Sequence, residues 1–426
     1  MISLLQIHKS LSKYRDEGIR FKALLKRCAD AEIKLEETRE SNRKIVNSIN
    51  LETFDPLVMI PEELHDLVIQ HFDGNDVLKA SEVSKDWFNL TTASKKCVSK
   101  LKLMIISYKN ISEKMKLQML DDMKMLQDSA RRYQHVQLTG DYNDRDTRWQ
   151  LSMGMECANL LKAHAESITS LMIHDIRTNR YESEVIPLVN LEHLEYSGED
   201  QGPFKHLHSL ILTATCNLKY LDAQAYDQNL RECLKQNTKL EELRLSDEMV
   251  KDLFVTDLAD KIKFKLKNLI SKTIENLRYN EHNYIKFLAS QGESLEFIKL
   301  HFTSSNVIST VFKEMKVLKR VELWDFKGGE RYIEPTENVF QLELHYIPWD
   351  KMILLLRALP NLEWLRIDHL NKHIVEFAAN NLFKLKLIIY NKDSDQTSIE
   401  YYEELRLSTA DVNKDISIQT SWDYFN

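Results

Sequence analysis

The tightest pair of side chains able to hold a metal or move a proton is His206-Leu207-His208. Metal binding needs at least a third ligand, and none stands nearby in the sequence. The plain reading is two histidines placed around a strand. The five cysteines, Cys28, Cys97, Cys157, Cys216 and Cys233, are odd in number and far apart. No CxxC pair exists, so their spacing indicates neither a structural zinc site nor a disulfide framework. Thiols used this way suit a reducing compartment, so the expected location is intracellular, cytoplasmic or nuclear. Only nine glycines occur. A loop that cradles phosphate needs glycine for close backbone approach, and the lone Gly328-Gly329 pair is not followed by GK[ST]. HExxH and GxSxG are absent as well. No catalytic residue, metal or cofactor is expected, and an enzyme would need a site assembled from distant residues.

Charge narrows the partners. The formal net charge is −7, without a long block of one sign, whereas a nucleic-acid binder is more often basic. Hydrophobic residues make up 43% and charged residues 29% of the chain, the balance of a folded, soluble protein. The apolar run Met1–Ile7 is too short for a signal peptide and has no basic residue before it. No window approaches the roughly 18 apolar residues of a membrane span. Neither nucleic acid nor membrane is an expected partner.

The 426 residues allow two or three domains or one extended repeat array. Over residues 1–50 apolar side chains recur at heptad spacing. Leu4, Leu11 and Leu25 share one position, with Ile7, Tyr14, Phe21, Cys28 and Leu35 three residues further on. This predicts an amphipathic helix, either a coiled coil that dimerises the protein or a helix lying back on its own chain. Gly18 in the seam weakens the coiled coil, at about 1 kcal/mol of helix propensity. Asp55-Pro56 marks a boundary, because a residue before proline is pushed out of helical conformation. Ile60-Pro61-Glu62-Glu63-Leu64 then opens a helix, with Pro61 at its first position and two acids at the positive end of its dipole. Asp73-Gly74-Asn75 stops it, a second helix runs from Asp76 to Val83, and a third short one passes through Ser84–Phe88.

The pairs Ile60-Pro61 and Glu63-Leu64, then Val68, Phe72, Asp76-Val77 and Val83-Ser84-Lys85-x-Trp87 follow one another without a gap. Together they resemble the F-box family pattern, over about a tenth of the chain. The resemblance implies a three-helix module over residues 55–97 that docks the Skp adaptor and, through it, a cullin. Leu57, Ile60, Pro61, Leu64, Val68 and Phe72 would make the adaptor contact, while Val77, Val83 and Trp87 would hold the three helices together. A bundle this small buries too little surface to be robust alone, and association would complete its core. An unrelated helical bundle is the other reading.

From residue 98 the chain repeats apolar-x-x-apolar-x-apolar. The matches are Val98/Leu101/Leu103, Tyr133/Val136/Leu138, Ile168/Leu171/Ile173, Leu191/Leu194/Tyr196, Leu207/Leu210/Leu212, Leu218/Leu221/Ala223 and Leu240/Leu243/Leu245. Further on come Leu295/Ile298/Leu300, Leu318/Val321/Leu323, Val339/Leu342/Leu344, Leu362/Leu365/Ile367 and Leu382/Leu385/Leu387. Leu266/Leu269/Ser271 is a poor match. Helix-like stretches at Asn306–Met315 and Trp349–Arg357 lie between strands. Residues 98–426 thus resemble a divergent leucine-rich repeat domain with a C-terminal cap: α/β, parallel strands on a concave face and helices outside. The asparagine or cysteine that usually follows the strand is missing from nearly all repeats, and the step from 207 to 218 is too short for a helix. An irregular α/β domain is the alternative.

Strand residues between the core positions should face the concave side. In the C-terminal repeats these are Phe297, Lys299, His301; Arg320, Glu322, Trp324; Gln341, Glu343, His345; Trp364, Arg366, Asp368; and Lys384, Lys386. Phe297, Arg320, Trp324, His345, Trp364 and Arg366 are the expected target contacts, because tryptophan and arginine anchor protein interfaces. Trp324 and Trp364, two strands apart, should sit about 10 Å from each other and share one aromatic patch with Phe297. The order of helix, F-box and leucine-rich repeats resembles that of substrate receptors of Skp–cullin–F-box ubiquitin ligases. That implies a non-catalytic receptor subunit which holds a protein target for ubiquitination. The alternative is a Skp-binding scaffold with no role in ubiquitination.

Overall fold

In a computed structural model of the chain, the described residues are 62–420 apart from 109–110, 142–145, 180–183, 199–204, 226, 256–257, 273–279, 302, 327–332 and 392–415. The expected helix over residues 1–50 lies outside them. The chain forms two compact units, 1–72 and 73–426, so the segment 55–97 belongs partly to each. Of the first unit, helix α1 (Glu62–Ile69) is described, and Ile69 on it is buried.

The second unit opens with α2 (Gly74–Val83), α3 (Lys85–Ala93) and the single turn α4 (Lys95–Val98). Asp73 caps α2. Its Oδ1 accepts from the Asp76 N–H at 2.8 Å, and the Asp76 carboxylate accepts from the Asp73 N–H at 3.1 Å. Two donors that the helix itself leaves open are thereby satisfied. A Cβ at Gly74 would meet the Lys100 carbonyl oxygen at 2.8 Å, so only glycine lets the chain pass there. Ser84 ends α2 in extended conformation and caps α3 through its Oγ. Val77 and Trp87 are buried. Val83, expected to help hold the helices together, is instead 63% exposed. It is the last residue of α2, and extended Ser84 carries the chain away before a neighbour can cover it.

The chain then alternates strands and helices. In order these are β1 (Lys102–Ile106), α5 (Glu113–Gln127), β2 (His135–Thr139), α6 (Thr147–Ala163), β3 (Ser170–His174), β4 (Arg177–Thr178), β5 (His193–Ser197), β6 (Lys205–His206), α7 (Ser209–Leu212), β7 (Tyr220–Ala223), α8 (Leu230–Gln236), β8 (Glu242–Leu245), α9 (Asp247–Leu253) and β9 (Asn268–Ser271). They continue as α10 (Glu281–Ser290), β10 (Phe297–His301), α11 (Ser305–Glu314), β11 (Arg320–Trp324), β12 (Gln341–His345), α12 (Trp349–Arg357), β13 (Trp364–Ile367), α13 (Lys372–Asn381), β14 (Leu387–Tyr390) and β15 (Ser417–Thr420). All strands but β4 and β6, which pair with each other antiparallel, join one 13-stranded parallel sheet. Strand order follows chain order from β1 to β15 with no reversal. Parallel crossovers keep one hand, so a sheet wound without reversal receives its helices on one side. The burial patterns agree: Leu171 and Ile173, or Ile298 and Leu300, are fully buried while their strand neighbours are half-exposed.

Most of the expected strand matches fall on strands, with four differences. The first match is two residues early: Val98 lies in α4, and Leu103 and Ile105, not Leu101 and Leu103, pair with Val136 and Leu138. Leu207, Leu210 and Leu212 do not form a strand: Leu210 and Leu212 lie in the one-turn helix α7 and Leu207 just before it, so the step judged too short for a helix contains one. Leu266/Leu269/Ser271, the poor match, is the full strand β9, with all three residues buried. At the C-terminal end the register is three residues later than expected. Leu365 pairs with Ile388 and Ile367 with Tyr390, because α13 runs to Asn381 and the return from helix to strand takes five residues, as it does between α11 and β11. Lys384 and Lys386 therefore leave the expected face list, and Leu387 and Ile389 take their places. The strand β15 was not anticipated.

Two polar side chains secure bends that lead into strands. Asn237, 1% exposed, accepts from the Leu218 N–H at 2.8 Å and donates to the Thr215 and Cys233 carbonyls, each at 2.8 Å. Gln291 accepts from the Leu266 N–H at 2.9 Å. Each satisfies buried backbone groups at a bend leading into a strand. One residue before the strands, ion pairs link successive strands: Glu192–Lys219, Glu241–Lys267, Glu296–Lys319 and Glu363–Lys386. Exposed pairs of this kind stabilise little, but their alternation along the sheet favours the observed register. Among the described residues no helix is long and apolar enough to cross a membrane.

Candidate functional site

The strand positions of β10 to β13 that alternate with the core leucines and isoleucines line up in three rows. The first holds Phe297, Arg320, Gln341 and Trp364; the second Lys299, Glu322, Glu343 and Arg366; the third His301, Trp324 and His345. Asp368, the next residue after β13, reaches the third row, where its Oδ1 lies 2.8 Å from His345 Nδ1. These are the residues expected on this face, in the expected alternation. Their grouping differs. Trp364 pairs with Gln341 while Trp324 pairs with His345, so the two tryptophans are four residues out of step as well as two strands apart. That places them roughly 16 Å apart. Phe297 shares the first row with Trp364, not the third with Trp324. One aromatic patch becomes two.

The third row is a stack of rings. Trp324 lies against His301 at 5.0 Å and against His345 at 4.2 Å between centroids, with Tyr346 at 5.7 Å. Its indole N–H donates to Glu322 at 2.7 Å, and the Lys299 ammonium sits 4.9 Å over the ring. Both indole faces are covered by the chain itself. Tyr346 is 72% exposed and has φ of 54°, a backbone region that costs an aromatic residue strain. Its N–H donates to Asp368 Oδ2 at 2.8 Å, which holds it there.

The second row is a charge network. Lys299 pairs with Glu322 at 2.6 Å, and Glu343 receives Arg320 and, at 3.5 Å, Arg366. Glu322, Glu343 and His345 are all buried. Burial alone would raise the Glu343 pKa, but the hydrogen bond from His345 and the charges of Arg320 and Arg366 outweigh it and hold the carboxyl below its usual range. Burial would lower His345, yet Glu343, Asp368 and Glu322 together raise it above the ordinary imidazole value. Ligand atoms of Glu322, Glu343 and His345 come within 4.8 Å of one another, close enough to share a metal ion. Cations of the chain already occupy both carboxylates, so a metal would have to displace Lys299, Arg320 or Arg366. The geometry describes a self-neutralised sheet surface.

The same face continues over β5, β7 and β8, where sequence reasoning singled out nothing. His193, Tyr220 and Glu242 form its first row, and Glu195, Asp222 and Arg244 its second. The signal was present in the repeat template, since these residues occupy the gaps of Leu191/Leu194/Tyr196, Leu218/Leu221/Ala223 and Leu240/Leu243/Leu245.

His206 and His208 lie on a small excursion of the array rather than on a sheet strand of the main fold. Their rings stack at 5.2 Å, and His208 also stacks on Tyr196 at 4.2 Å. His208 is 1% exposed, and burial holds its pKa well below the ordinary value, 3.4 Å from Asp227. This is a packed core cluster. Of the expected adaptor contacts, Leu57, Ile60 and Pro61 and the side chain of Leu64 lie outside the described residues. Val68 and Phe72 are half-buried.

No family model matches the chain, and no curated protein matches it.

Proposed function

We propose that this chain is a substrate receptor of a Skp–cullin–F-box ubiquitin ligase: residues 55–97 dock the Skp adaptor, and the repeats hold a protein target. The observation that carries this reading is the gapless run from Ile60-Pro61 to Trp87. Its support in the fold is the helix succession α1, α2, α3, with Val77 and Trp87 buried and polar caps at Asp73 and Ser84. The uninterrupted order of parallel strands, with helices to one side, suits a leucine-rich repeat solenoid and leaves a long polar face for a partner. In this role the chain contributes proximity and orientation rather than chemistry, and it works in the cytoplasm or nucleus. Capture of the Skp adaptor by the tagged protein, compared with the Pro61→Ala/Leu64→Asp double variant, tests the reading. The variant should lose the adaptor, because an unpaired charge at an apolar contact blocks docking, while the repeat array keeps its melting temperature. Undiminished capture would sink the assignment.

A further inference from the structure

Where the approach to α8 faces α9, the chain leaves a cavity of about 140 Å³. That is room for about five water molecules, well short of the roughly 300 Å³ at which sites for drug-sized ligands and cofactors begin. Part of its wall is apolar: Met249 and Leu253 line it and are buried. Another part is charged. Asp227 lines it at only 7% exposure. Arg231, half-buried, and the exposed Gln228 and Asp252 complete the lining.

Opposite charges thus share one small cavity without neutralising each other. Among the described residues no carboxylate forms an ion pair with Arg231. Its Nη2 donates to the Asp252 carbonyl, which anchors the guanidinium and leaves the rest of the fork open. Asp227 is held as firmly. Its Oδ1 accepts from the Asn229 N–H at 2.7 Å, its Oδ2 accepts from Ser209 Oγ, and the His208 ring stands 3.4 Å away, kept uncharged by burial. Burial raises the Asp227 pKa against the combined pull of Ser209, Asn229, Lys205 and His206. The contacts of the carboxylate therefore do not offset its desolvation, and a cation arriving in the cavity would.

We infer that this cavity binds a free α-amino acid with a short aliphatic side chain. The ammonium goes to Asp227, the carboxylate to the open donors of Arg231, and the side chain lies on Met249 and Leu253. A guanidinium takes a carboxylate as a two-pronged fork, which fixes the orientation. The lining asks for both charges at once: a bare cation would share the cavity with Arg231, and a bare anion would meet buried Asp227. Gln228, which both donates and accepts, can serve either group. The site stands on its own lining and does not depend on the receptor reading.

Titration calorimetry of the full chain with valine, valinamide and N-acetylvaline tests this. Valinamide lacks the carboxylate and N-acetylvaline the ammonium. Each should bind about tenfold or more weakly than valine, because one charge of the site is left unmatched. Arg231→Gln keeps an amide donor for the Asp252 carbonyl and should bind valine and valinamide alike. Asp227→Asn should bind valine and N-acetylvaline alike. Melting temperatures are read on both variants, and if the buried Asp227→Asn fails to fold, the Arg231→Gln comparison decides. Wild-type protein that takes up no valine at millimolar concentration overturns the inference. So does equal binding of N-acetylvaline, which has the chemistry of a peptide C-terminus, or of valinamide, which has that of an N-terminus. A preference for valine over valinamide that survives in Arg231→Gln overturns it as well. Adaptor capture is a separate measurement, so either reading can fall without the other.

Discussion

Trp324 on β11 and His345 on β12 stack with ring centroids 4.2 Å apart, and His301 closes the other face of the indole at 5.0 Å. This contact changes what the tryptophan is for. A free indole on a receptor face would be a contact for the partner; an indole covered on both faces, with its N–H on Glu322, is part of the sheet surface.

The two tryptophans should therefore behave differently. Trp324→Ala removes a ring stack and leaves the buried Glu322 without one of its donors, and should cost about 3 kcal/mol of stability. Trp364→Ala, at a half-exposed position outside that stack, should cost about 1 kcal/mol or less. Chemical denaturation of both variants measures the difference. Equal losses would refute the separate roles.

The pH response follows from His345. Its folded pKa is raised, so the stability it contributes is fully present below about pH 6.5 and is lost as pH rises through the elevated value. Glu343 has a lowered pKa, and its contribution fails only on acidification, below about pH 4.5. Between pH 6 and 9, roughly, the imidazole thus acts alone among these groups. His345→Gln should lower the melting temperature more at the acid end of that window than at the alkaline end. A deficit that does not vary with pH would count against the assignment.

Arg131, just before β2, fastens to the helices of residues 74–98. Its Nη2 donates to Ser81 Oγ at 2.6 Å, and its guanidinium lies 5.7 Å over the Phe88 ring. Arg131→Ala should cost about 1–2 kcal/mol and speed amide exchange in α2 and α3, while β10 to β13 keep their protection. Hydrogen exchange followed by mass spectrometry reads both regions at once.

Asn237 satisfies three backbone groups from inside the core. Asn237→Ala strands the Leu218 N–H and the Thr215 carbonyl, while the Cys233 carbonyl keeps the backbone N–H of residue 237, and Asn237→Leu fills the space but strands the same two groups. Each should cost about 3 kcal/mol, with leucine no better than alanine. Thermal unfolding of the pair decides whether hydrogen bonding or volume matters there.

The sequence alone determined which residues point to the core and which do not. Leucine, isoleucine and valine at fixed alternation along a strand leave one face apolar, so the individual side chains of the other face, from Phe297 to Arg366, could be named before any coordinates, though not their grouping into rows. The helices at α11 and α12 were equally legible, from apolar spacing of three and four. Tertiary structure decided which of those residues meet. Register between parallel strands depends on the length and end of the helix that joins them, and no pattern within a strand reports it. Leu382/Leu385/Leu387 and Leu385/Ile388/Tyr390 both satisfy the repeat template, and only the end of α13 at Asn381 selects the second. The same cause set Trp324 against His345 rather than beside Trp364, buried Glu343 among arginines from two other strands, and brought Glu195 and Asp222 into register across β5 and β7.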